Sequence, residues 1–324
     1  MKITESARIT QRAYARESLV VPPLSVLAGY ILLVLLWGST WAAIRIGVTS
    51  VPPFVFAFER AVAVSICMTA LTLANGLRFP RDRKTIAAAA FAGVVNTGTS
   101  WAIIFWSEQY VPSGLVAVFG AAGPIWTAFL AHFFVRGDRL STLKIVGLAC
   151  GIVGIAVLVG APAPGSRPEA FLATVLLALM PISWGFGTIV QVRVLREGSP
   201  LPLVAIGTWT GSLVLLPFAL TQIGQPAAWT TEVIVAFAYL VFLGSCVGLV
   251  LQLWLTRRLR PTTMTLSQLL ISAQAVMVGA VVLGEAVTIQ MLAGAALVAA
   301  ALGLNAIAGG GAEARPAPAA VPGE

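Results

Sequence analysis

The sequence predicts an all-α integral membrane fold, with ten transmembrane helices arranged as two inverted five-helix repeats. Three observations predict it. The composition suits a chain whose outside meets lipid. Ten apolar runs are each long enough to cross a bilayer. The basic residues between those runs fall almost entirely on one side.

Of the 324 residues, 58% are hydrophobic and 10% are charged, where an average soluble domain has about 25% charged. Mean hydropathy is +0.93. Even a large soluble domain leaves roughly a quarter of its unfolded surface in water, so lipid must solvate much of this one. The net charge of +8 does not mark a nucleic-acid partner, because the basic residues are spread over short segments between apolar runs, as membrane topology requires. Cys67, Cys150 and Cys246 lie within apolar runs and are expected as small core residues. With a single histidine no metal site is expected. The runs hold no clustered nucleophiles or paired carboxylates, and no GxxxxGK[ST] is present. No catalytic residues, no cofactor and no enzymatic activity are therefore expected.

A helix crosses the hydrocarbon in about 20 residues. Apolar runs lie near 26–47, 54–75, 86–106, 113–135, 143–160, 171–191, 202–222, 232–255, 264–284 and 288–308. Backbone groups cannot stay unpaired in lipid, and the short alternating segments of a barrel are missing, so the runs are expected as helices. Residues 1–25 read as a cytoplasmic tail, since no apolar core with a small-residue cleavage site follows Lys2, Arg8, Arg12 and Arg16. Residues 309–324, GGGAEARPAPAAVPGE, read as a disordered tail.

With the N-terminus inside, 17 of the 20 basic residues fall on cytoplasmic segments. The opposite side has only Arg167, while Arg45 and Arg60 sit within spans. This sorting predicts a multi-pass protein of the bacterial inner membrane with both termini cytoplasmic.

Sliding the chain on itself by 147 residues aligns Trp37-Gly38 with Trp184-Gly185, Pro53 with Pro200, Ser65 with Ser212, Gly137-Asp138 with Gly284-Glu285, and Gly147 with Gly294. The expected repeats are 26–160 and 171–308. Five helices per repeat inverts the second one, an architecture of transporters whose substrate sits near the midplane between the halves.

The residues that carry this pattern also carry a family resemblance. LLWGSTWAAIRIG in helix one, FAFERAV in helix two, GAAGPIWTAF in helix four and GDRLSTLKIVGLACGIVGIAVLVG through helix five are followed, in the second half, by ISWGFGTI and LGEAVTIQMLAGAALVAAALG. In order, spacing and duplication the chain resembles the EamA-type transporters of the drug/metabolite transporter superfamily over roughly 28–308. The resemblance implies a secondary transporter, with export of amino acids or related metabolites as the leading expectation. Efflux of drugs or other xenobiotics is the alternative within transport; a channel-like or otherwise non-transporting membrane protein is the alternative outside it. The family's usual proline in helix nine, equivalent to Pro124, is here Ile271, so a proline kink is expected only in the first half.

Polar groups at mid-depth are costly against lipid and should face the interior. Asn96 beside Trp101 in the first half, and Gln191, Gln252, Gln268, Ser272 and Gln274 in the second, are either a hydrogen-bonding cavity or glue between helices. The expected substrate-binding set is Trp37, Asn96, Trp101, Trp126, Trp184, Gln268 and Gln274. Gly38 and Pro124 are candidate hinges. Gly147 and Gly151 form a GxxxG that is either an intramolecular contact or the seam of a homodimer. No Asp or Glu lies at the middle of a span, so the substrate is expected to be neutral or zwitterionic. Arg45, Glu59 and Arg60 are expected as a charge cluster at the outer mouth, with one arginine paired to Glu59.

Overall fold

The computed structural model describes residues 23–134, 141–160, 167–194, 200–259 and 261–313. Much of the expected N-terminal tail, Asp138 in the loop after the fourth span, Arg260, and most of the C-terminal tail lie outside these residues. So does the side chain of Gln191.

Among the described residues, ten helices are long and apolar enough to cross a membrane. We number them α1 (Leu24–Val48), α2 (Pro53–Ala74), α3 (Arg83–Ser107), α4 (Ser113–Phe134), α5 (Thr142–Val159), α6 (Pro168–Val194), α7 (Leu201–Leu220), α8 (Thr231–Thr256), α9 (Pro261–Leu283) and α10 (Ile289–Glu313). The connections are short. Asp82 caps α3 by accepting from Lys84 N and Thr85 N, and Ser141 caps α5 by accepting from Lys144 N. The last helix runs past its expected end to Glu313. Gly309, Gly310 and Gly311 cost helix stability without blocking it.

The packing is that of an inverted repeat. Helix α1 packs on α9, as its counterpart α6 packs on α4; α1 also packs on α8, as α6 packs on α3. Helices α2 and α7, α4 and α9, and α5 and α10 each pack on their own counterpart. Both halves also depart from regular helix at matching places: α3 contains a π-helical segment at Val94–Thr99, and α8 one at Tyr239–Val247. A 147-residue shift carries the first onto the second. Such segments free backbone carbonyls and tend to occur at functional sites.

The break in α4 belongs to the first half alone. A turn at Ala122 separates Ser113–Ala121 from Gly123–Phe134, whereas α9 is uninterrupted. Pro124 has no N–H to donate and its ring crowds the preceding turn; Ile271 imposes neither constraint.

Gly147 and Gly151 face the last helix of the same chain. A Cβ at Gly147 would lie 2.7 Å from Asn305 Nδ2, and one at Gly151 would lie 3.4 Å from Ala301 Cβ. Of the two readings of the GxxxG, the intramolecular contact is present in the form of α10. Apolar side chains such as Leu35, Phe242, Val281 and Ile289 are exposed on the outside of the bundle, as lipid requires.

Candidate functional site

Arg60 is buried, on the inner face of α2 with Phe56 and Val64. The i, i+4 spacing sets those three on one stripe. Its guanidinium lies 4.2 Å over the ring of Trp101 and 5.7 Å from that of Phe105, a cation–π arrangement with two rings of α3. Arg60 Nη2 donates to Ser245 Oγ at 3.1 Å, inside the π segment of α8.

Glu59 does not join this cluster. Consecutive helical residues point about 100° apart, so Glu59 follows the outer stripe of α2 with exposed Ile66. Among the described residues it makes no ion pair with Arg60. The carboxylate that faces the arginines is Glu108, which follows the last residue of α3 and is fully buried. Trp101, Phe105 and Glu108 stand at i, i+4 and i+7, one face of a helix. The charges of Arg45 and Arg60 both reach Glu108, as does that of Glu285. Burial pushes the Glu108 carboxyl well above the usual carboxylate range, and the two arginines pull against that shift. Among the described residues, neither Glu108 oxygen has a hydrogen-bond partner, and neither Arg45 Nη1 nor Arg60 Nε has one.

Glu285 has a different task. Gly284, with φ of +66°, turns the chain at the end of α9, where a left-handed residue without a Cβ is favoured. The turn sends the Glu285 carboxylate to the start of α4. There it accepts from Ser113 N at 2.8 Å, Ser113 Oγ at 2.9 Å and Gly114 N at 3.3 Å. A carboxylate from the second half thus caps a helix of the first, where orphan N–H groups and the dipole favour it. Beside it, a cavity of about 280 Å³ is lined by Arg45, Ile46, Thr49, Glu232, Leu283 and Glu285, among others.

Deeper in the bundle, the remaining candidates fall into two groups. At α1, Trp37 Nε1 donates to Gly244 O at 3.0 Å, a carbonyl of the α8 π segment. Gln274 crosses from α9 against Gly38, with Nε2 donating to Leu35 O at 3.2 Å and Oε1 buried without a partner. Gly38 lies within an unbroken α1 and serves as the point where that helix approaches Gln274. Where α3, α4 and α6 meet, Trp184 covers Gly120 and Gly123 at the α4 break, with Trp41 also against Gly120. Asn96, in the α3 π segment, packs against Gly187 of α6 with Oδ1 buried and unpartnered. Trp126 Nε1 is likewise buried without a partner. Gln268 lies on α9, one turn before Ser272, whose hydroxyl donates to its carbonyl at 3.0 Å.

Sequence reasoning missed Glu108 and the capping role of Glu285. The available signals were an acidic residue beyond Trp101 and Phe105 on the stripe they share, and the Gly-Glu pair of the 147-residue repeat.

Several known proteins are similar in sequence. A chain at 29% identity, the "Uncharacterized inner membrane transporter YedA" of Escherichia coli (strain K12), aligns over 72% of this chain and 74% of its own. At 27% identity, the "Probable terminal-alkyne amino-acid exporter" of Streptantibioticus cattleyicolor aligns over 82% of this chain and 88% of its own. At 26%, the "Probable amino-acid metabolite efflux pump" of Salmonella typhimurium aligns over 85% and 92%. One solved crystal structure, at 18% identity, superposes with a TM-score of 0.61 over 90% of this chain and 99% of that one; at this identity the likeness shows the fold alone. The profile of the EamA-like transporter family matches residues 24–160 and 171–307, one copy per half. With ten apolar helices in two copies of that unit, this multi-pass membrane protein belongs to the EamA-like transporter family.

Proposed function

We propose that the protein is a secondary transporter that exports small neutral or zwitterionic metabolites, amino acids foremost, across the bacterial inner membrane by alternating access. Both termini are cytoplasmic in this reading, which the sorting of basic residues supports. The observation that carries it is the set of buried polar atoms that have no partner among the described residues: Asn96 Oδ1, Trp126 Nε1, Gln274 Oε1 and the atoms of the Arg45–Arg60–Glu108 cluster. Buried polar groups are nearly always satisfied, so a concentration of unsatisfied ones needs a functional account. Neutral and zwitterionic solutes carry donors and acceptors without net charge, which suits a lining that holds guanidinium, carboxyl, amide and indole groups. The names of two relatives, an amino-acid exporter and an amino-acid metabolite efflux pump, support the same substrate class.

A second reading, efflux of ring-bearing xenobiotics, draws on the aromatic surface that Trp41 and Trp184 make over the α4 break. Efflux from proteoliposomes separates the two. Vesicles are loaded in turn with each of the twenty L-amino acids, a quaternary ammonium dye and a neutral aromatic drug. Amino-acid efflux without dye efflux is expected; drug efflux with no amino-acid efflux would replace the first reading by the second.

A further inference from the structure

The buried charges near the arginine-poor end of the bundle are held together without being paired. Glu108 is 0% exposed and Arg60 6%. Removing such groups from water is costly, and a fold recovers the cost only through close, well-directed partners. Here, among the described residues, Glu108 has none on either oxygen, and Arg45 Nη1 and Arg60 Nε have none. The carboxylate also stands at the C-terminal end of α3, where the helix dipole repels negative charge.

The surrounding charges can be enumerated by element. Arg45 comes from α1, Arg60 from α2 and Glu285 from the α9–α10 connection, and all three reach Glu108. Glu232, in the first turn of α8, lines the cavity beside Arg45 and Glu285. Glu169, in the first turn of α6, is exposed. Glu285 is engaged by Ser113 and Gly114, which leaves Glu108 and the two guanidinium groups with unused hydrogen-bonding capacity. They offer acceptors for a cation beside donors for an anion. A zwitterion carries that complement within one small molecule.

Resting on the transport function proposed above, we propose that Glu108, Arg45 and Arg60 bind the two charged groups of an α-amino acid. The arginines take the carboxylate, Glu108 takes the ammonium, and a proton occupies Glu108 when the amino acid is absent. Ammonium and proton compete for the same carboxylate oxygens, so one proton leaves Glu108 as one zwitterion binds. The burial that raises the Glu108 pKa favours the proton in the unliganded site. Alternating exposure of this site exchanges an outgoing zwitterion for an incoming proton.

The test uses the full-length protein in detergent, titrated calorimetrically with the twenty L-amino acids between pH 5 and 9. The tightest binder is then compared with its α-hydroxy acid, which lacks the ammonium, and its amide, which lacks the carboxylate. Binding is expected to weaken up to tenfold per pH unit as Glu108 becomes protonated, and each analogue to bind at least roughly tenfold more weakly. Glu108→Gln should lose both the affinity and the pH dependence, and Glu108→Asp should keep the pH dependence. A hydrophobic carbodiimide should label Glu108 in the wild type, and the bound amino acid should block that labelling, so the assignment stays testable even where a variant fails to fold. Amino-acid binding that is independent of pH, or as tight in Glu108→Gln, or that leaves carbodiimide labelling unchanged, would overturn the Glu108 assignment while leaving the proposed function standing. Binding of none of the twenty would overturn both.

Discussion

Replacing Glu285 by alanine removes the cap of α4 from across the repeat boundary. Pro112, at the cap position, makes no side-chain hydrogen bond, so the first N–H groups of α4 rely on Glu285 alone among the described side chains. The variant loses acceptors for Ser113 N, Ser113 Oγ and Gly114 N. A lost cap costs about 0.5–2 kcal/mol, and a hydrogen bond to a charged group contributes about 1.5–3 kcal/mol. These terms overlap, and Glu285 is only half-buried, so a total near 2 kcal/mol is reasonable. At about 2–4 °C per kcal/mol for a chain above 150 residues, the apparent melting temperature should fall by roughly 4–8 °C. The assay is thermal unfolding of purified protein in detergent, read by the tryptophan signal or by loss of the monodisperse peak, at one fixed scan rate. Glu285→Gln, which keeps an acceptor and loses the charge, should fall between. An alanine variant melting within about 1 °C of wild type would refute the capping argument.

Other outcomes follow from the same geometry. Gly151→Leu should sharply lower folded yield, measured by membrane abundance and gel filtration, because Ile125 and Ala301 leave no room for the side chain; overpacking of this kind typically costs about 1–3 kcal/mol. Trp101→Phe, which keeps a ring in the core contacts of Trp101, should reduce transport with membrane abundance within about twofold of wild type, because the smaller ring weakens the cation–π contact with Arg60; full transport would show that the Arg60 position does not depend on the indole. Reporter fusions after Arg78 and Arg258 should behave as cytoplasmic and one after Gln225 as periplasmic, and reversal at these sites would overturn the orientation.

The ten spans were legible because lipid demands an unbroken apolar run from each helix, and the sequence writes that demand directly. The break at Pro124 was legible in part: proline lacks a donor, yet Pro181 and Pro217 lie inside uninterrupted α6 and α7. Glu108 was not. It lies in the SEQYVPS stretch between two apolar runs, where local pattern cannot separate a solvated loop carboxylate from a buried one. The burial is tertiary, made by helices distant in sequence. The expected pairing of one arginine with Glu59 was not legible as an error either, because the carboxylate that faces the arginines, Glu108, is placed there by tertiary packing. The π segments were also hidden, because one extra residue per turn leaves composition unchanged; only the polar cluster Asn96, Thr97, Thr99 and Ser100 marks the first of them.

The carrier mechanism itself is tested most directly by counterflow. Proteoliposomes are preloaded with a high concentration of the unlabelled amino acid found to be exported, then diluted into a trace of the same compound carrying a radiolabel. A site that opens to one side at a time exchanges inner for outer molecules, so the label should transiently accumulate above its equilibrium level and then decay. Simple equilibration without an overshoot would contradict alternating access and return the protein to a channel-like role.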